Sequence, residues 1–184
     1  MALVESNMME LGTTAPDFRL FDTVSGEHKS LDILKSDKAT VVLFICNHCP
    51  FVIHINPALA KVGKEDGEKG VSFIAISSNN VATHPQDGPD FMKEHATKEG
   101  YTFPYLYDET QEVAKAYKAE CTPDLFVFDD ELKLVYRGQF DETRPNKGEA
   151  HGKDLSDALD AILTGESVAD DQKPSIGCNI KWKE

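Results

Sequence analysis

The feature that most constrains the fold is a run of β-branched and aromatic residues followed directly by two closely spaced cysteines. The run covers residues 40–45 and is typical of a central strand that is buried on both faces. The cysteines follow at once in the segment Cys46-Asn47-His48-Cys49. From residue 50 to about residue 69 the apolar residues recur near helical spacing. The sequence therefore predicts a cysteine pair at the junction between a buried strand and a helix.

Strand and helix signals alternate along the rest of the chain. Pro57 is expected to kink or restart the helix after the cysteines, because proline lacks the backbone N–H of a helix interior. The order of signals predicts an α/β fold with helices on both faces of a mixed sheet. The expected strands are 18–21, 29–31, 40–45, 71–77 and a hairpin of 125–128 with 132–136; a short segment at 103–106 lies between helices 89–98 and 110–118, and a last helix covers 153–163.

Composition and the N-terminal sequence limit the classes of binding partner and the cellular location that we expect. Asp and Glu number 32 against 19 Lys and Arg, and the formal charge of -13 repels phosphate backbones and anionic lipid surfaces. We therefore expect neither a nucleic acid nor a membrane partner. The N-terminus lacks the cationic start and apolar run of a signal peptide, so a cytoplasmic location is expected. One domain is expected at 1–166, with a C-terminal tail at 167–184 packed on it.

The cysteine pair suits redox chemistry. A sulfur at a helix N-terminus lies near unpaired N–H groups and the positive end of the helix dipole, which lower a thiol pKa from about 8.5 to about 3.5–7.5 in such motifs. Cys46 is expected to be the attacking thiolate, and Cys49 to resolve the mixed disulfide. His48 would add positive charge beside the thiolate, and Asn47 would add hydrogen bonds.

Several segments give the chain a family resemblance. Together, four segments resemble the redoxin branch of the thioredoxin superfamily. They are the run from Thr40 to Pro50, Phe103-Pro104-Tyr105-Leu106-Tyr107-Asp108-Glu109, Val113-Ala114-Lys115-Ala116-Tyr117 and Cys121-Thr122-Pro123-Asp124-Leu125-Phe126-Val127-Phe128-Asp129. That branch includes AhpC/TSA-type peroxiredoxins and thiol-disulfide reductases. The string Cys-Asn-His-Cys-Pro is most similar to uncharacterised peroxiredoxin-like proteins.

The resemblance implies an architecture and a substrate site. The fold would be a thioredoxin-like three-layer sandwich with N-terminal extension strands and a C-terminal tail. Pro123 would be a cis-proline that faces the dithiol. The backbone of Thr122 would pair with an extended substrate segment.

The chain also departs from the patterns of its relatives. Typical thioredoxins have a buried carboxylate and an aromatic residue where this chain has Thr40 and Ile45. Peroxiredoxins have a Thr or Ser three residues before the peroxidatic cysteine and an Arg beside it. Cys49 matches the position of that cysteine, but Cys46 replaces the Thr and no Arg lies near Pro123 in the sequence.

Two further cysteines are candidate accessory thiols. Cys121 precedes the expected cis-proline by two residues and so could lie within reach of the dithiol. Cys178 lies in the tail, whose apolar residues Ile176, Ile180 and Trp182 predict that it packs on the body. We hypothesise that Cys121 and Cys178 relay or store a second disulfide.

The preferred function is thiol–disulfide exchange with protein or small-molecule substrates. Rival readings are a thiol peroxidase that uses Cys49, and a metal-dependent binding module built from Cys46, Cys49 and His48 or His54, with Cys121 or Cys178 as further ligands. No metal is expected in the preferred reading. Neither a Gly-rich phosphate loop nor a dinucleotide fingerprint is present, so no cofactor is expected and NADPH or flavin would be handled by a partner. The electron donor and the direction of exchange stay open.

Overall fold

The computed structural model describes residues 2–184, which form ten strands and five α-helices. The strands are β1 (Leu3–Glu5), β2 (Arg19–Asp22), β3 (His28–Ser30), β4 (Ala39–Phe44), β5 (Val71–Ser77), β6 (Tyr105–Tyr107), β7 (Cys121–Thr122), β8 (Asp124–Phe128), β9 (Leu134–Gly138) and β10 (Ile176–Asn179). The helices are α1 (Leu31–Leu34), α2 (Pro50–Glu68), α3 (Pro89–Glu99), α4 (Glu112–Ala116) and α5 (Lys153–Leu163), with a 3-10 helix at Pro85–Asp87.

Seven strands form the main sheet in the order β3-β2-β6-β5-β4-β8-β9. The predicted central strand, β4, is buried along its whole length. It runs parallel to β5 and antiparallel to β8, so the sheet is mixed as the sequence predicts. This arrangement confirms the predicted α/β class and places the end of β4 in the middle of the molecule.

Alternate residues of β4 face two separate cores. Val41 and Leu43 belong to the core that α2, α3 and α5 cover. Val42 and Phe44 belong to the core that α4 covers on the other face. Because side chains of a strand alternate between faces, a continuous apolar strand requires helices on both sides.

Helix 110–118 is shorter than predicted, at Glu112–Ala116, and two further differences concern Pro57 and the hairpin. Helix α2 continues through Pro57 without a restart, and Pro57 lies on its exposed side. The buried side chains of Ile55 and Leu59 flank the proline and hold the helix against the sheet, which offsets the missing hydrogen bond. The second strand of the hairpin begins at Leu134, because Leu132 has a φ of 57° and belongs to the turn.

A smaller sheet has the order β1-β10-β7. Strand β10 belongs to the C-terminal tail and pairs antiparallel with both neighbours. Ile180 is buried after it, whereas Trp182 is 37% exposed. The tail thus packs on the body through backbone pairing as well as through apolar side chains. Among residues 2–184, no helix has the length and apolar character needed to cross a membrane.

Candidate functional site: a buried thiol cluster

The two cysteines of the Cys-x-x-Cys segment lie between the end of β4 and the first residue of α2. The helix begins at Pro50, and Cys49 is its N-cap residue. The Cys49 carbonyl oxygen accepts hydrogen bonds from the N–H groups of Val52 at 3.0 Å and Ile53 at 2.9 Å. Because proline is favoured at the first helical position, Pro50 fixes the helix start one residue after Cys49. The sulfur of Cys49, rather than that of Cys46, therefore belongs to the residue at the helix N-terminus.

Thr122 contacts both cysteines. Its hydroxyl lies 3.6 Å from the Cys46 sulfur, and its carbonyl oxygen lies 3.3 Å from the Cys49 sulfur. The Thr122–Pro123 peptide bond is cis, which confirms that prediction. Cys46 is 1% exposed and Cys49 is fully buried. The dithiol is thus covered on the β7 side by the residue that the family resemblance assigns to substrate binding.

Cys178 is the third member of what we call the thiol cluster, which consists of Cys46, Cys49 and Cys178. In the pairing of β10 with β7, Cys178 lies opposite Thr122, so both side chains are on the same face of the small sheet. Cys178 packs in the same buried cluster as Cys46 and Cys49, and a hydrogen bond from its thiol lowers the pKa of Cys49. Cys49 accordingly has a thiol neighbour on either side.

Hydrogen bonds within the thiol cluster shift the pKa values of Cys46 and Cys49 in opposite directions. The thiols of Cys178 and Cys46 donate to the Cys49 sulfur and lower the pKa of Cys49 well below its usual range, against the opposing effect of burial. The hydrogen bond to Cys49, burial and the negative charge of Asp87 raise the pKa of Cys46. The neutral Cys49 thiol donates to the Thr122 carbonyl oxygen at 3.3 Å, so this bond and burial oppose ionisation, whereas hydrogen bonds from the two neighbouring thiols favour it. These shifts favour Cys49 as the thiolate, whereas the sequence led us to expect Cys46 in that role.

Cys121 does not join the cluster. It lies opposite Asn179 and next to Thr122 in β7, so its side chain points to the other face of the small sheet from Cys178. Its thiol donates to the Pro123 carbonyl oxygen at 3.5 Å, and burial raises its pKa. The structure thus does not bring together the Cys121–Cys178 pair that we hypothesised from the sequence.

The segment between the cysteines is held by Asp87, a residue that the sequence analysis placed only in a loop. One carboxylate oxygen accepts the Asn47 N–H at 2.8 Å, and the other lies 2.6 Å from His48 Nδ1. The second oxygen also accepts from the Asn79 side chain at 3.0 Å. No local pattern could have identified Asp87, because the fold alone brings it beside the dithiol.

Two aromatic contacts complete the loop side of the site. The ring of His84 stacks on that of His48 with 5.3 Å between centroids. The Tyr105 hydroxyl donates to the Asn47 side-chain oxygen at 2.9 Å. Both residues named as tuning groups, Asn47 and His48, are therefore fixed by partners outside the Cys-x-x-Cys segment.

One set of side chains near the dithiol has ligand atoms close enough to hold a metal ion. The Cys46 sulfur, a His48 ring nitrogen and an Asp87 oxygen lie within 4.8 Å of one another. His54, another ligand considered from the sequence, has its Nε2 atom 2.8 Å from the Thr143 hydroxyl and outside this set. The possible donor set is therefore Cys46, His48 and Asp87, which differs from the set considered from the sequence.

One arginine lines a small cavity together with the cis-proline. Arg144 and Pro123 line the same small cavity, although they are well separated in the sequence. The guanidinium group donates to the carbonyl oxygens of Asp141 and Thr143 and to the Gln139 side chain. No Arg lies near Pro123 in the sequence, and the Nη1 and Nη2 groups of Arg144 donate within its own loop.

Comparison with known proteins agrees with this architecture. An uncharacterised conserved protein from Geobacillus kaustophilus is 55% identical, with a TM-score of 0.98 over 100% of this chain and 97% of its own. A hypothetical protein from Sinorhizobium meliloti 1021 is 46% identical, with a TM-score of 0.94 over 97% of this chain and 98% of its own. No curated protein matches the sequence.

More distant structures identify the fold. The thioredoxin domain of a thiol-disulfide oxidoreductase from Bacteroides vulgatus is 19% identical, with a TM-score of 0.63 over 82% of this chain and 99% of its own. The chain therefore has a thioredoxin-like fold, as the resemblance implied. Residues 10–159 match the Redoxin family, which is most of the chain. Together, the cis-proline beside a strand–helix cysteine pair and this match show that the chain belongs to the Redoxin family of thioredoxin-fold redox proteins.

Proposed function

We propose that the protein is a thiol–disulfide oxidoreductase whose redox-active dithiol is Cys46 and Cys49. The observation that carries the proposal is the placement of both sulfurs against Thr122, 3.6 Å from its hydroxyl for Cys46 and 3.3 Å from its carbonyl oxygen for Cys49, at the start of α2. A thiolate is the attacking species in disulfide exchange, and a second thiol within reach completes the reaction. The substrates would be disulfides of proteins or small molecules.

The geometry supports a definite order of steps. The Cys49 thiolate attacks one sulfur of a substrate disulfide, and the other substrate sulfur leaves as a thiolate. Cys46 then gives up its proton and attacks the Cys49 sulfur, which forms the Cys46–Cys49 disulfide and expels the second substrate thiolate. Two electrons pass to the substrate, whose sulfurs take up protons from Cys46 and from water. An external dithiol returns the protein to its reduced state.

Insulin reduction with dithiothreitol as external reductant tests this order. We expect Cys49→Ser to lower turnover about 10³-fold or more, because the attacking thiolate is lost. The double variant Cys46→Ser/Cys178→Ser should accumulate a mixed disulfide with substrate at Cys49, since both neighbouring thiols are gone. Cys121→Ala is the matched control and should turn over normally.

Two results would count against the proposal. Full insulin reduction by Cys49→Ser would show that this sulfur does not attack. Absence of a Cys46–Cys49 disulfide in the wild-type protein across a glutathione redox series would show that the dithiol is not redox-active. Metal analysis of the same samples would report stoichiometric zinc if Cys46, His48 and Asp87 form a binding site instead.

The lowered pKa of Cys49 also favours a second candidate, thiol peroxidase activity. The Cys49 thiolate would attack a peroxide oxygen, which gives a sulfenic acid at Cys49 and releases water or an alcohol. Cys46 would then displace the hydroxyl as water and form a disulfide. Peroxide consumption, with dimedone labelling of Cys49 in Cys46→Ser/Cys178→Ser, tests this activity. Unlabelled Cys49 after peroxide treatment would exclude it.

A further inference from the structure

Cys178 has a position that exchange between Cys46 and Cys49 does not require. Strand β10 brings it opposite Thr122, the residue that contacts both sulfurs of the dithiol. Cys178 also packs in the same cluster of buried residues as Cys46 and Cys49. Cys46, Cys49 and Cys178 thus lie together around Thr122.

The tail is closely fitted at this point. A Cβ atom on Gly177 would overlap the Thr122 carbonyl group, so only glycine allows β10 to approach β7 this closely. The Ser175 hydroxyl donates to the Pro123 carbonyl oxygen, and the Ile180 N–H donates to Glu120 at 3.1 Å. Contacts before and after Cys178 therefore fix the strand along the segment that ends in the cis-proline.

The outer edge of β10 is fixed as well. Strand β1 pairs with it, with Leu3 opposite Cys178, and the Ser6 N–H donates to Ser175 at 2.9 Å. Cys178 is 1% exposed. The strand that carries this thiol is therefore held between two others, with Cys178 on the same face as Thr122 and packed with Cys49.

We propose that Cys178 is a third redox-active thiol, and that the oxidised protein exchanges its Cys46–Cys49 disulfide for a Cys49–Cys178 disulfide. The inference rests on the proposed function, because that function supplies the first disulfide. Cys178 loses its proton and attacks the Cys49 sulfur; the Cys46–Cys49 bond breaks, and Cys46 leaves as a thiolate that takes up the proton. No external oxidant is consumed, since the step moves one disulfide within the protein.

The exchange would change whether a substrate strand can reach Thr122 in the oxidised protein. A Cys49–Cys178 disulfide ties β10 covalently to the start of α2 and keeps it paired along Thr122. It also leaves Cys46 as a thiol. A substrate strand that pairs with Thr122 must displace β10, so this disulfide holds the site closed until a reductant opens it.

Disulfide mapping of Cys46→Ser tests the exchange partner directly. Oxidised glutathione should react with Cys49, and Cys178 should then displace glutathione to give the Cys49–Cys178 disulfide. Trypsin leaves Cys49 in the peptide 39–61, Cys121 in 119–133 and Cys178 in 154–181, because the bond between Lys173 and Pro174 resists cleavage. We expect a cross-link of 39–61 to 154–181, with titratable thiols falling from three to one.

Control variants and the wild-type protein show whether the cross-link depends on Cys178. Cys46→Ser/Cys178→Ser should lose the cross-link and keep glutathione on Cys49, whereas Cys46→Ser/Cys121→Ala should form the cross-link as fully as Cys46→Ser. Wild-type protein, which needs no refolding control, should give the same cross-link at intermediate ratios of oxidised to reduced glutathione. Glutathione that stays on Cys49 in Cys46→Ser, together with no cross-link in the wild type, would overturn the inference.

The same digests separate this inference from the proposed function. An intact Cys46–Cys49 disulfide in the wild type without any link to 154–181 leaves the proposed function standing and removes the role of Cys178. Absence of both disulfides removes both. A cross-link to 154–181 in Cys46→Ser, with no Cys46–Cys49 disulfide at any redox ratio in the wild type, removes the exchange and the proposed dithiol together.

Discussion

The loop at residues 79–88 and the tail strand β10 both hold the Cys-x-x-Cys segment, but they act on different cysteines. The loop acts through side chains: Asp87 accepts from Asn47 and lies beside His48. The tail acts through backbone pairing, which brings the Cys178 thiol to Cys49. The loop thus adds negative charge near Cys46 and the tail adds a donor at Cys49, so the pKa values of two neighbouring thiols shift in opposite directions.

Removing the loop contact should cost the most stability. Asp87→Ala leaves the Asn47 N–H and the Asn79 amide without their acceptor in a buried site, and we expect the free energy of unfolding to fall by about 3–5 kcal/mol. Urea unfolding of the reduced protein measures this loss. The exposed Asp90→Ala is the control and should change little. A loss for Asp87→Ala as small as that for Asp90→Ala would show that the loop does not hold the segment.

The tail side also has a buried carboxyl, but its bonding is poorer. Asp124 accepts from the Glu120 N–H at 3.1 Å, and its other oxygen has no hydrogen-bond partner within residues 2–184. Burial raises the pKa of Asp124 from 3.8 to about 7. The folded protein therefore holds this proton at higher pH than the unfolded chain does. Its favourable contribution is full below pH 3.8 and is lost as the pH rises towards 7.

Asp124→Asn should remove this pH dependence. Between about pH 4.5 and pH 7.5, the wild type should lose about 3 kcal/mol of unfolding free energy relative to the variant. Urea unfolding at the two pH values measures the difference, and the exposed Asp130→Asn provides the baseline. Parallel pH profiles for the wild type and Asp124→Asn would show that Asp124 does not titrate in this range.

Displacing the tail should have a smaller effect on stability and a clear one on reactivity. Gly177→Ala sets a methyl group against the Thr122 carbonyl, and we expect a loss of about 1–3 kcal/mol together with faster alkylation of Cys49 by iodoacetamide. Gly67→Ala is the control, because a Cβ there meets open space. Unchanged alkylation of Cys49 in Gly177→Ala would show that β10 does not cover the dithiol.

The smallest effect is expected for the cysteine outside the cluster. Cys121→Ala should cost about 1 kcal/mol of unfolding free energy and leave insulin reduction within about twofold of wild type, since it removes a buried sulfur that faces away from Cys178. Urea unfolding measures the first quantity, and the rate of insulin reduction measures the second. A large loss of turnover would place Cys121 in the reaction and would weaken the contrast with Cys178.

The sequence predicts best what depends on neighbouring residues. Helix α5 has the bounds predicted from its apolar spacing, and the buried strand at residues 40–45 is β4 with one residue of difference at each end. The sequence predicts the thiolate at Cys46, whereas the hydrogen bonds around the dithiol favour Cys49, and the difference depends on where α2 begins. Pro50 carried the necessary signal, since proline at the first helical position makes Cys49 the N-cap residue.

Contacts between distant segments could not be predicted in this way. Asp87 follows a turn-rich stretch, and its sequence context is that of a loop residue. The tail was predicted to pack on the body from its apolar residues, but nothing local sets the register that places Cys178 opposite Thr122. That register depends on Gly177 and on pairing with β1, at the other end of the described chain.

The position of β10 between β1 and β7 has a consequence for biosynthesis. The middle strand of this small sheet is the last of its three to leave the ribosome, so the first and second strands have no partner in that sheet until it emerges. Until then the sulfur at the start of α2 is uncovered on that side, although the main sheet is already complete in sequence. In the nascent chain, Cys49 is therefore the sulfur whose cover on this side is completed last.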